Sequence, residues 1–297
     1  PHTQHSLMIM SKIEEALDHG QTTVEYHEDE VINTSRVLGT AVAGLLTRRA
    51  FAGSAKETGR TRLQFTKGSV AGNGFACFNV DGLDLIVHGG AQDGVAKAGF
   101  GGKVAVLKAR NEVGQWIFGS VGKSFAYGAM RGTFIVEGDA DARAGIRLSG
   151  ADLIFGGELR EPVDDSRGNI ACRANIKGFA FEYMTNGRAI VLGDPGPWIC
   201  SGMTGGVVYL RVQPEMGLDE AALRRRLAKG AKVHMIQPTE DGIRDIRDLL
   251  SVYLEVLLEH EHYETLARIA PLLKEPEKHF LQVVPVSQQT DPTISTE

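Results

Sequence analysis

Along the first two thirds of the chain, short apolar runs alternate with glycines. They read GLDLIVHG from Gly82, GGKVAVLK from Gly101, GTFIVEG from Gly132, GADLIFGG from Gly150, GRAIVLG from Gly187 and GGVVYL from Gly205. Taking the glycine that opens each run, the positions are 82, 102, 132, 150, 187 and 206, with steps of 20, 30, 18, 37 and 19 residues. Short runs rich in Val, Ile and Leu fit strands buried on both faces. The period is too short for a helix-pair repeat, and the leucine spacing does not fit a leucine-rich repeat. The pattern predicts an all-β core, a single-stranded right-handed parallel β-helix in which each strand stacks on its counterpart one turn away. The glycines would serve corners where the backbone needs positive φ or passes close to the next turn.

The two long steps hold polar stretches, Lys108 to Gln115 and Glu158 to Gly168, which read as loops thrown out from one corner. The second could conceal a further coil, and the loop is preferred. Elsewhere the apolar period becomes helical. SKIEEALDHG, from Ser11, predicts a short helix, and DEAALRRRLAK, from Asp219, predicts another ending at Gly230. Thr239 or Asp241 can cap a longer helix with the stripe Ile243, Ile246, Leu249, Leu250, Tyr253, Leu254, Leu257 and Leu258. A last helix runs from about Glu264 to Lys274. These C-terminal helices are expected to cap the open end of the coil. The resulting division is an N-terminal helix and strand arm (1–31), the glycine-rich body (32–213), a helical extension (214–287) and a disordered tail (288–297).

Composition narrows the function classes. With 297 residues and 42% hydrophobic content, the chain can bury a sizeable core. Its net charge of −5 gives no global field for nucleic acid or acidic lipid. The densest basic patch, Arg224-Arg225-Arg226 with Lys229 and Lys232, reads as a solvated helix face. No run is long and apolar enough to span a bilayer, and the N-terminus lacks a signal-peptide pattern, so a cytoplasmic protein is expected. Cys77, Cys172 and Cys200 lack CxxC spacing and read as small buried hydrophobes.

Catalytic signatures are sparse. GSVGKS, from Gly119, is half of a phosphate loop without the full spacing. His260 and His262, two apart on a helix, would point away from one another and read as a solvated terminus. His88, beside Gly89 and Gly90, reads as a corner residue making a hydrogen bond. Asp139, Asp141 and Arg143 are the only carboxylate cluster inside the repeats and read as outward turn residues, against a polysaccharide-cleaving alternative.

The residues do resemble a known family. EYMTNGRAIVLG, from Glu182, followed by GPWICSGMTGGVVYL, from Gly196, resembles the GXGXG domain at the C-terminus of the glutamate synthase large subunit, where EYMTGG, VVVLG and AGMSGGIAYV occur in that order. NTSRVLG, from Asn33, is similar to the family's NTDRxxG, and GSVAGNGFACF, from Gly68, to its GSAGQSFGAF. The glycine-rich coil from Gly119, RLSGADLIFGG from Arg147 and the closing FLQVVPV from Phe280 extend the likeness over about residues 7–287. Leu148 stands where the family has Asn, Asn186 stands where it has Gly, and residues 158–172 look like an insertion.

The resemblance implies a β-helix scaffold that holds no cofactor and no catalytic or metal-binding residue of its own. The partners it implies are a glutaminase-like subunit and an FMN-barrel subunit carrying FMN and an iron–sulfur cluster, with no nucleic acid and no membrane. Arg36, Gly119, Gly122, Arg147, Gly150, Tyr183, Gly187, Gly202, Gly205 and Gly206 are the structural or interface candidates. Two rivals stand beside this reading: a subunit of N-methylglutamate synthase, and a C subunit of a formylmethanofuran dehydrogenase or formyltransferase complex, which has a similar architecture. An independent polymer-acting enzyme is a third.

Overall fold

In the computed structural model, which describes residues 3–53, 59–168 and 170–286, the glycine-spaced runs are strands of one sheet. Helix α1 (Gln4–Asp18), strand β1 (Val24–Asp29) and helix α2 (Thr40–Phe51) come first. Then follow β2 (Thr61–Ala71), β3 (Leu83–Ala91), β4 (Phe100–Leu107), a small hairpin of β5 (Ala109–Arg110) and β6 (Trp116–Ile117), β7 (Arg131–Val136), β8 (Ser149–Phe155), β9 (Asn186–Val191) and β10 (Val207–Arg211). The rest is α3 (Glu220–Arg226), β11 (Val233–Ile236), α4 (Glu240–Glu259), α5 (Tyr263–Ile269), α6 (Pro276–His279) and β12 (Phe280–Pro285). The ten-stranded sheet has the order β1-β2-β3-β4-β7-β8-β9-β10-β12-β11. Within this sheet every neighbouring pair from β1 to β10 is parallel, while β12 runs antiparallel to both β10 and β11; β5 and β6 pair antiparallel outside it.

The all-β, single-stranded right-handed β-helix is therefore not what forms. The protein is mixed α/β, a mostly parallel sheet with helices packed on it. The reason lies in the strands themselves. Leu85, Val87, Val104, Val106, Phe134, Val136, Leu153 and Phe155 point into one core, shared with α1 and α2 at the β1 end and with α3 beyond β10. The alternate residues Ile86, Ala105, Ile135, Ile154, Ile190 and Tyr209 are direct register partners across six strands and form a second apolar row on the opposite face. A row of that kind needs a cover. Helix α4 supplies it through Ile246, Leu249, Leu250, Tyr253, Val256 and Leu257, all buried. The long C-terminal helix thus lies across a sheet face instead of capping an end.

Other local expectations fare unevenly. Thr239 caps α4 by accepting from the Gly242 amide, and Asp219 caps α3 by accepting from the Ala222 amide. Helix α3 stops at Arg226, before Gly230, because Leu227 is extended. Leu258 is 58% exposed, whereas Val256, absent from the expected stripe, is buried. Helix α2 was not expected at all, although Val42, Leu45 and Leu46 carry helical spacing and are buried. The Lys108 to Gln115 stretch holds β5 and the turn of the β5–β6 hairpin, and β8 pairs directly with β9, so the long step between them holds a loop and, among the described residues, no further sheet strand. The proposed disordered tail lies outside the described residues.

The turns opposite the sheet have a regularity of their own. In 74–78, 94–98, 124–128, 143–147, 179–183 and 198–202, the first, third and fifth residues all have positive φ. Most of them are not glycine: Ala76, Phe78, Ala98, Arg147, Tyr183 and Trp198 are examples. The middle residues Ala76, Ala96, Ala126, Phe181 and Cys200 are fully buried. Left-handed backbone costs an L-residue about 1–2 kcal/mol. Hydrogen bonds between neighbouring turns offset it, as in Ala98 N–H to Tyr127 O at 2.8 Å, Arg147 N–H to Glu182 O at 2.7 Å and Tyr183 N–H to Ser201 O at 2.8 Å.

Candidate functional site

A cluster of buried and part-buried titratable side chains gathers where the C-terminal ends of β3, β4 and β7 meet the α4–α5 junction. Glu137 directly follows the buried run of β7 and is itself fully buried. Its carboxylate accepts from the Lys108 amide at 2.8 Å and the Thr265 hydroxyl at 3.1 Å, and it pairs with His262 Nδ1 at 2.7 Å. Burial alone would push this carboxyl up, but the His262 and Lys108 contacts hold it below the ordinary glutamate range. His88, near the end of β3, meets His260 edge-on with ring centroids 4.7 Å apart, and His262 lies 6.0 Å away.

The expectation that His260 and His262 point apart is overturned. Helix α4 ends at Glu259, and Glu261 has φ 60°, so the chain reverses between the two histidines and brings both rings to His88. An acidic residue immediately after the apolar run Phe134-Ile135-Val136 was the sequence signal for this cluster.

Burial, together with the neighbouring His260 and His262, pushes His88 down to about 4 from 6.5. Burial lowers His260 as well. Glu137 opposes the shift at His88, and His27 adds to it. A histidine whose folded pKa is depressed stabilises the fold above its unfolded pKa, and that stability is lost as pH falls. Unfolding midpoints in urea should therefore drop between pH 6.5 and 4, by up to about 3 kcal/mol from His88. His88→Leu should flatten that part of the profile; an unchanged profile would show that His88 titrates normally.

Beside this cluster lies a groove of about 580 Å³. Lys108, Trp116, Phe118, His262, Tyr263 and Arg268 are among its walls. Arg110 stacks over Trp116 at 4.4 Å and Arg160 over Phe118 at 4.7 Å. Since Glu137 already accepts from three donors, it is a poor general base, and the geometry makes the cluster a clamp between α5 and the sheet.

A second clamp ties the 158–172 loop to α3. Arg226, read from the sequence as part of a solvated face, is fully buried. Its guanidinium donates to Asp194 at 2.9 and 2.8 Å, to Asp165 at 2.6 and 2.9 Å and to the Ala222 carbonyl at 3.0 Å, which uses all five N–H groups. Position 226 is four residues after buried Ala222 and three after buried Leu223, so the helix turns it inward. Asp139 accepts from Asn175 at 2.7 Å, and Asp141 from the Ala142 amide at 2.6 Å. Cys77 and Cys200 are buried as expected, but Cys172 is exposed.

The sequence-selected residues fall into two groups. A side chain at Gly119, Gly122, Gly150, Gly187, Gly205 or Gly206 would press on the preceding repeat; at Gly205 it would sit 1.8 Å from the Thr185 carbonyl oxygen. Arg36, Arg147, Tyr183 and Gly202 lie exposed, with the Arg147 guanidinium 5.7 Å from the Tyr183 ring centre. Gly202, at φ 66°, would place a Cβ 2.6 Å from Tyr183 Cδ1. Gly202→Val should lose about 1–3 kcal/mol of stability, read as a lower thermal midpoint, and a variant as stable as the parent would contradict this strain.

The family described as "GXGXG motif" matches residues 6–286. The chain belongs to the GXGXG family. A ferredoxin-dependent glutamate synthase of Pyropia yezoensis is 28% identical to this GXGXG chain over 275 residues, covering 90% of the chain and 16% of the relative. The NADPH glutamate synthase large chain of Bacillus subtilis is 27% identical over 288 residues, covering 93% and 16%. Ferredoxin-dependent glutamate synthase 2 of Synechocystis sp. is 30% identical over 202 residues, covering 66% and 11%. The GXGXG chain thus spans about a sixth or less of the length of these relatives.

Its three cysteines, two of them buried and far apart in sequence, do not fit the thiolate set of an iron–sulfur cluster. Among the described residues, no group of three or more His, Cys, Asp or Glu is placed to hold a metal ion. No helix among them is long and apolar enough to cross a membrane.

Proposed function

We propose that this chain is a non-catalytic scaffold subunit of a multisubunit glutamate synthase-like complex in the cytoplasm. The complex would pass an amino group from glutamine to 2-oxoglutarate. A glutaminase-like subunit and an FMN-barrel subunit would be its partners, with FMN and an iron–sulfur cluster residing in them. The observation that carries this reading is the family match over residues 6–286, a stretch that is similar along its length to part of the glutamate synthases. The closed states of Glu137, Asp165 and Asp194, each committed to internal donors, support a bracing role. Within the subunit, residues 1–31 act as an arm, 32–213 as the glycine-rich body and 214–287 as a helical extension. Arg36, Arg147, Tyr183 and the 158–172 loop are the proposed contact points.

The test is to purify the tagged chain with co-expressed glutaminase-like and FMN-barrel candidates and assay glutamate formation from glutamine and 2-oxoglutarate with NADPH or reduced ferredoxin as the two-electron donor. A flavin-containing complex that loses activity when this chain is omitted supports the reading. A chain that joins neither candidate sinks it. Product formed from methylamine instead of glutamine would move the chain to N-methylglutamate synthase, and co-purification with formyl-transfer subunits would move it to that class.

A further inference from the structure

The turns with alternating φ place their first and fifth residues at the surface while their middle residues are buried. In the last three of these turns large aromatic and cationic side chains occupy every outward position except Gly202. Phe179 and Trp198, first residues of consecutive turns, stack with ring centroids 4.9 Å apart and planes at 26°. They remain 38% and 51% exposed, and Tyr183 is 54% exposed. Arg143, Arg147 and Lys177 surround them, all exposed, and none forms an ion pair among the described residues. Earlier turns continue the trend with exposed Lys97 and Lys123.

Within these six turns and the two residues on either side of each, the carboxylates are Asp93, Asp141 and Glu182. Asp93 and Asp141 accept from the turn amides of Lys123 and Ala142. Five cations against three carboxylates give these segments a positive balance on a chain whose net charge is −5, while Lys177 also borders a pocket that Asp139, Glu158 and Glu161 line. Many arginines elsewhere are ion-paired, as in Arg188 with Asp152, Asp245 and Asp248, although Arg36, Arg48, Arg110 and Arg247 form no ion pair among the described residues. A flat aromatic plate ringed by unmatched cations has the composition of a binding surface whose centre is apolar and whose rim selects negative charge.

We propose that this turn face is a docking surface for an acidic partner protein, with the stacked Phe179–Trp198 pair as its anchor and Arg143, Arg147 and Lys177 as its cationic rim. The occupant is a partner subunit of the complex, so the inference rests on the scaffold reading above. The interleaved carboxylates and the acidic chain disfavour a nucleic acid strand on the same face. Arg147 and Tyr183, structural or interface candidates from the sequence, fall inside this surface.

The experiment compares the parent chain with Trp198→Ala and with the Arg143→Glu/Arg147→Glu pair, each measured for affinity toward the co-expressed partner subunits at two salt concentrations. Melting curves confirm folding, and Arg244→Glu on α4, which covers the opposite face of the sheet, is the control. Both variants should weaken binding at least tenfold, the charge reversal should also flatten the salt dependence, and Arg244→Glu should change neither. A complex that forms with the parent and is equally tight with both variants overturns this inference while leaving the scaffold reading intact. No complex with the parent overturns both. A parent chain that dimerises alone through this face, or that binds an oligothymidylate in a way Arg143→Glu/Arg147→Glu abolishes, assigns the face to another occupant and also overturns it.

Discussion

Replacing Arg226 with methionine is expected to lower the stability of the fold by about 3–5 kcal/mol, the largest effect of any single substitution considered for this chain. The guanidinium is fully buried and satisfies Asp194, itself 1% exposed, together with Asp165. Methionine fills similar space but leaves two carboxylates facing one another without a counter-charge, and the loss comes mainly from that uncompensated charge. Equilibrium urea unfolding of Arg226→Met against the parent measures it. Two controls make the reading specific. Arg225→Ala removes an exposed partner of the same Asp165 and should change stability by less than about 1 kcal/mol. Adding Asp165→Asn and Asp194→Asn to Arg226→Met should recover part of the loss. If Arg226→Met unfolds at the parent's urea midpoint, the site is hydrated in solution and the account is wrong.

Glu137→Ala should cost about 2–4 kcal/mol and act more locally. It strands the Lys108 amide, the His262 ring and the Thr265 hydroxyl, of which the last two hold α5 against the sheet. Amide exchange in α5 should accelerate more than exchange in β7, because the clamp fixes a short helix while the strand keeps its ladder. Glu137→Gln, which keeps the shape and an acceptor, should lose less. Uniform acceleration throughout the sheet would mean that Glu137 supports the core as a whole.

The sequence was informative wherever a local rule operated. Apolar runs spaced by glycine marked most of the parallel strands, and Asp219 and Thr239 marked helix starts, since capping and two-face burial are written in a few consecutive residues. The architecture was misread because the same runs serve a solitary coil or a sheet with a helix on its second face, and only the row from Ile86 to Tyr209 across six strands shows that α4 must lie there. The clamps were hidden for another reason. Glu137 and His262, and Arg226 and Asp165, meet across long stretches of chain, so no window of sequence contains the pair. The alternating-φ turns left no composition signal either, because Ala, Phe, Arg, Tyr and Trp occupy positions where only glycine would have advertised left-handed backbone. The basic run at Arg224 shows how composition misleads: one residue of three is interior, and helical phase decides which.

The antiparallel strand at the end of the sheet carries a consequence for synthesis. Val208 of β10 pairs with Val283 of β12, and no earlier segment in the chain takes that edge. A nascent chain that has released β10 from the ribosome carries a bare row of amides and carbonyls until Phe280–Pro285 follows, through the whole translation of α3, β11 and α4. Over the same interval the apolar row from Ile86 to Tyr209 waits for α4. Elongation rate thus sets how long the molecule is open to self-association, and a pause between β10 and β12 would prolong both exposures at once.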